Sequence, residues 1–121
     1  MNKHIPPPDI VMAINIELMY LKMVLDTPEK VIFVEREKNL NTFAKLGITV
    51  EGCFTYLKLL NFHNYVSGPS DDIDTGEKNC VWVFGTEISG ISLYLKVKNE
   101  APDRLKILSF HEAERPIKYI Y

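Results

Sequence analysis

"CVWVFGTEISGISLYLKVKN", residues 80–99, decides the fold, because two runs of alternating side chains flank Ser89-Gly90. Side chains alternate between the two faces of a strand, and glycine supplies the positive φ that a two-residue hairpin turn needs. A turn centred on Ser89-Gly90 sets Trp82 opposite Val97, Phe84 opposite Leu95 and Thr86 opposite Leu93. That face is the core. The other face carries Glu87, Ser92, Tyr94, Lys96 and Lys98, and a slip of one residue would exchange the two.

The next run, "RLKILSFH" at 104–111, follows "EAPD" and reads as a further strand. Centring this connection on Ala101-Pro102 places Tyr94 opposite Ser109 and diagonal to His111, with Leu108 and Phe110 on the core side. His111 then ends a strand on the face that holds a tyrosine and two lysines.

Upstream of this meander the periodicity is helical. Val11, Ile14, Leu18, Leu21 and Leu25 recur at the spacing of one helical face, with Asp9 placed as an N-cap and Thr27-Pro28 as a stop. "KVIFVER" is β-branched and aromatic, a short strand or an extended connector. A second helix is expected from Asn39 to Leu46, closed by Gly47. Thr49 caps a third, whose apolar face is Val50, Cys53, Phe54, Leu57 and Leu60. Residues 61–79, rich in Gly, Ser, Asp and Asn, read as one long exposed loop. Helices followed by strands predict an α+β domain, its N-terminal helices packed on one face of a three- or four-stranded antiparallel sheet. At 121 residues the chain forms one domain.

The net charge of −2 lacks the excess of Lys and Arg typical of avid nucleic-acid binders, so any RNA contact must come from a local patch. Cys53 and Cys80 have no CxxC spacing and no secretory segment accompanies them, which predicts reduced thiols and a cytoplasmic protein. The apolar stretch Ile10 to Leu25 is short for a bilayer span and is interrupted by Asn15, Glu17 and Lys22, so no membrane association is expected. "SDDID" lacks the ligand spacing of a calcium loop, and His4, His63, His111 and the cysteines lack zinc spacing, so no metal is assigned. No GxSxG or phosphate-loop motif is present, and no cofactor is expected.

"GPSDDID", "VWVFGTEI", "LYLKVK" and "ILSFHEAERPIKY" occur in an order that resembles the MqsR-like family of toxin–antitoxin proteins. The resemblance covers roughly residues 35–121. It implies a RelE-like fold and a metal-independent endoribonuclease, an mRNA interferase, that cuts messenger RNA and is held inactive by a cognate antitoxin. The family's tyrosine in the "YLK" strand matches Tyr94, and the basic residue ending the "SF" strand falls on His111. Two positions depart from the family pattern. Ser67 stands where relatives often have lysine before Gly-Pro, and Val83 follows Trp82 where some have glutamine.

Cutting RNA without metal needs a base for the 2′-hydroxyl proton, an acid for the leaving oxygen and a cation for the phosphorane charge. On that reading the catalytic candidates are His111 as acid or base, Lys96 as cation and Tyr94 as phosphate donor or stacking ring. Ser67, Glu87 and Lys98 are candidates for substrate contacts, Glu87 also being a conceivable base. The competing reading is a catalytically inactive module that binds RNA or a protein partner, its polar sheet face merely solvated.

Overall fold

The computed structural model describes residues 6–121, so His4 lies outside it. Helix α1 (Pro8–Leu25), strand β1 (Val31–Phe33), α2 (Glu37–Leu46) and α3 (Val50–Lys58) precede β2 (Tyr65–Ser70), β3 (Val81–Ile88), β4 (Ile91–Glu100) and β5 (Arg104–Glu112). The five strands form one sheet in the order β1-β5-β4-β3-β2. The fold is α+β with its helices N-terminal to most of the sheet, and the sheet is mixed because β1 runs parallel to β5. Among the described residues no helix is long and apolar enough to cross a membrane.

Local chemistry accounts for most boundaries. Gly47 closes α2 in the left-handed region at φ 69°, and the Thr49 hydroxyl accepts the Gly52 N–H to start α3. Asp9 is not the cap of α1; it lies inside the first turn, because Pro7 and Pro8 begin the helix with no side-chain cap. Residues 61–79 are not all loop either. Phe62–Asn64 form a 3₁₀ turn capped by Asn61, and Tyr65–Ser70 pair with β3 across two register shifts. The irregular pairing hides the strand, since bulges interrupt the two-residue period by which strands are read.

The hairpin of β3 and β4 has the register that its turn dictates: Trp82 faces Val97, Phe84 faces Leu95 and Thr86 faces Leu93. Its apolar face packs on Ile14, Leu18, Leu21, Phe43, Phe54 and Leu57 from the three helices. Between β4 and β5 the arrangement differs from the expectation. Lys96 pairs with Ser109 but Val97 pairs with Ile107, so Leu108 is an extra residue in a bulge. Leu105, Ile107 and Phe110 are fully buried, whereas Leu108 is only half-buried and faces the open side. The bulge also pairs Tyr94 directly with His111.

At the bulge α2 takes the place of a neighbouring strand. Beyond Ile107 the β1 edge ends, and the buried Asn39 side chain takes over: its amide donates to Val34 O and Leu108 O, and its oxygen accepts the Phe110 N–H. Thr42 accepts the Glu112 N–H in the same way. Side chains of a helix thus substitute for a strand along the last turn-length of β5.

Burial also creates a titrating carboxyl on α1. Glu17 on α1 is 4% exposed, accepts from Asn99 Nδ2 through Oε1, and leaves its Oε2 and the Asn99 Oδ1 without partners among the described residues. Both orphans are acceptors, so a proton on Glu17 removes one and offers a donor to the other. Desolvation pushes this carboxyl up from 4.5 to about 7, against the Asn99 hydrogen bond. The folded state therefore binds the proton more tightly than the unfolded chain. Its stabilisation is complete below pH 4.5 and drains away up to about pH 7, by at most roughly 3 kcal/mol. Glu17→Gln supplies the missing donor at every pH. Urea melts at pH 5 and pH 8 should show a stability loss on raising the pH in the wild type and a flat profile in the variant; equal slopes would remove this account.

Candidate active site

The sheet face turned away from the helices holds a cleft of about 650 Å³, with Tyr94, Lys96, Ser109 and His111 as its floor. The pairs Tyr94–His111 and Lys96–Ser109 are direct neighbours across β4 and β5. The Tyr94 and His111 rings stack with centroids 5.5 Å apart and 26° between planes. His111 is 9% exposed, and its Nδ1 lies 2.9 Å from the Glu112 carbonyl oxygen. A carbonyl only accepts, so Nδ1 carries the hydrogen and the neutral ring keeps its lone pair on Nε2. That is the atom a general base needs.

The walls come from parts of the chain that strand periodicity does not reach. Arg36 precedes α2, and Arg115 and Lys118 follow β5; all three line the cleft with Lys96. Seven of the described lysines are held in ion pairs. Of the six described cations with no carboxylate within 4.0 Å, four line this cleft, and only Lys22 and Arg104 lie elsewhere. The one acid on the wall, Glu114, is occupied: the Lys38 ammonium holds its carboxyl below the ordinary range, helped by the charge of Arg115. A chain that is acidic overall therefore presents a cationic hollow at one place.

A second hollow of about 340 Å³ shares Arg36, Tyr94 and Lys96 with the first and is edged by Asp71, Asp72 and Asp74. Val83 lies in its wall and makes that part of the hollow apolar.

Three of the expected contact residues sit differently. Lys98 is 3% exposed along its side chain, with Nζ 2.7 Å from both Asp72 and Glu77. These contacts raise its affinity for its proton and bring the Asp72 carboxyl down to about 2, aided by the Asp74 N–H. Its charge is spent on clamping the 71–78 turn to β4, not offered to the cleft. Glu87 is exposed at the hairpin end opposite Ser92 and lies outside the cleft. Ser67 is exposed beside Val83 on β2, while its neighbour Val66 is the residue that reaches the wall. The signal for Arg36, Arg115 and Lys118 was charge alone, and charge does not say which cations will find acids. Compared with known proteins, the chain matches no family model and no curated protein sequence.

Proposed function

We propose that this protein is a metal-independent endoribonuclease of the kind the MqsR-like resemblance implies, a RelE-like toxin acting on messenger RNA in the cytoplasm and restrained by a cognate antitoxin. The observation that carries the reading is the gathering of Arg36, Lys96, Arg115 and Lys118, all without acidic partners, around the stacked Tyr94–His111 pair. A ligand with regularly spaced negative charges and a group to be deprotonated fits that set.

In this scheme His111 Nε2 takes the proton from a ribose 2′-hydroxyl, and the freed oxygen attacks the adjacent phosphorus. The bond to the 5′-oxygen breaks, leaving a cyclic 2′,3′-phosphate. The Lys96 ammonium stabilises the charge that builds on the phosphorane oxygens. Tyr94 either protonates the leaving 5′-oxygen through its hydroxyl, or stacks on a base and leaves that proton to water.

The second reading, an inactive module that binds RNA or a protein partner, draws its support from Val83 in the groove and Ser67 outside it. Incubating the purified protein with mixed-sequence RNA in chelator separates the two. Cleavage into cyclic-phosphate ends is the expected result. Intact RNA, free or on ribosomes, together with no growth arrest on expression, would leave the binding module.

A further inference from the structure

The chain continues past β5 as a strap across the open face of the sheet. Ala113 N–H donates to Ser92 O at 2.8 Å, and beyond it no backbone-to-backbone hydrogen bond among the described residues holds residues 114–121. They nevertheless form one side of the cleft. Side-chain packing seats them at two places. Gly85 pairs with Tyr94 in the sheet, and Ile117 and Tyr119 lie directly on it: a Cβ there would stand 2.6 Å from Tyr119 Oη and 2.9 Å from Ile117 Cδ1. Further on, Tyr121 stacks on Phe62 at 5.2 Å and on Tyr65 at 6.2 Å between centroids.

This construction is specific about what it carries. Arg115 precedes the two residues seated on Gly85 and Lys118 lies between them, both exposed and both on the cleft wall. The adjoining hollow is edged by Asp71, Asp72 and Asp74, the first two paired with Lys78 and Lys98, so Asp74 is the charge that disfavours an anion there. We propose that the C-terminal strap is the phosphate-binding wall of the cleft, with Arg115 and Lys118 holding the phosphodiesters that flank the one at His111. The assignment rests on the reading of the cleft as an RNA site and adds where the polymer's backbone is gripped. A chain ended at β5 would keep Tyr94, Lys96 and His111 and lose the grip.

The test is binding of a short, dye-labelled single strand of 2′-O-methyl RNA, which has no free 2′-hydroxyl to attack, followed by anisotropy across a salt series. The double variant Arg115→Ala/Lys118→Ala should weaken binding about tenfold or more at low salt. It should also flatten the dependence of log affinity on log salt by about 1.4, since each lost phosphate contact on a single strand removes about 0.7. The charge-preserving exchange Arg115→Lys/Lys118→Arg should restore the slope, which a merely structural role would not require. Gly85→Ala keeps every charge but pushes Tyr119 off its seat, and should weaken binding while the thermal melt still shows a folded protein. Wild-type binding with an unchanged affinity and slope in the double variant would overturn the strap assignment and leave the RNA reading standing. No binding by the wild type would overturn both.

Discussion

His111→Ala should slow RNA cleavage by about 10²- to 10⁴-fold, the range that a positioned general base contributes. The substitution removes the only imidazole on the cleft floor and leaves Tyr94, Lys96 and the cationic walls in place. Binding of an uncleavable strand should therefore change little while turnover collapses, and single-turnover rates set beside anisotropy would show that split. A variant that cuts at the wild-type rate would exclude His111 as the base. Tyr94→Phe refines the assignment, because its ring already stacks on His111. A large loss of rate places the hydroxyl on the phosphate or the leaving oxygen. A small loss makes the ring a stacking platform.

Asn39→Leu, outside the cleft, should destabilise the fold by about 2 to 5 kcal/mol. Leucine keeps the branched shape of asparagine but is bulkier, so strained packing at this fully buried site adds to the lost hydrogen bonds. It strands the buried Phe110 N–H and takes a donor from the part-buried carbonyls of Leu108 and Val34, the latter still accepting the Arg36 N–H, and each unsatisfied buried group costs about 1–3 kcal/mol. Against a total stability of about 5–15 kcal/mol this is enough to depopulate the fold on warming. Thr42→Val removes one bond, to the Glu112 N–H, and should cost about 1 kcal/mol. Denaturant melts of the two variants would establish the order. Equal, small effects would mean that β5 holds its bulge without α2.

The same contacts link stability to the site. Asn39 and Thr42 grip β5 at Leu108, Phe110 and Glu112, on either side of His111, so α2 fixes the strand end that presents the imidazole. Loss of Asn39 should therefore lower activity at temperatures where the chain is still folded.

What the sequence determined by itself was whatever neighbours along the chain decide. Ser89-Gly90 sets the hairpin register through backbone conformation at two adjacent residues, and from it follow the buried Trp82, Phe84, Leu93, Leu95 and Val97 and the open-face Tyr94 and Lys96. Gly47 and Thr49 mark helix ends for the same local reason. Tertiary structure decided the rest, because the deciding partners lie far away in the chain. Leu108 lies in a bulge outside the core, and Asn39, 69 residues earlier, donates to its carbonyl. Lys98 is withdrawn from the cleft because Asp72 and Glu77 fold back onto it, while Lys96, two residues away, meets no acid. Arg36, Arg115 and Lys118 gain meaning only when α2's entry and the strap over Gly85 bring them to the same hollow. Alternation along a strand assigns a face; only the pairing of distant charges and hydrogen-bond donors settles which groups on that face remain free to act.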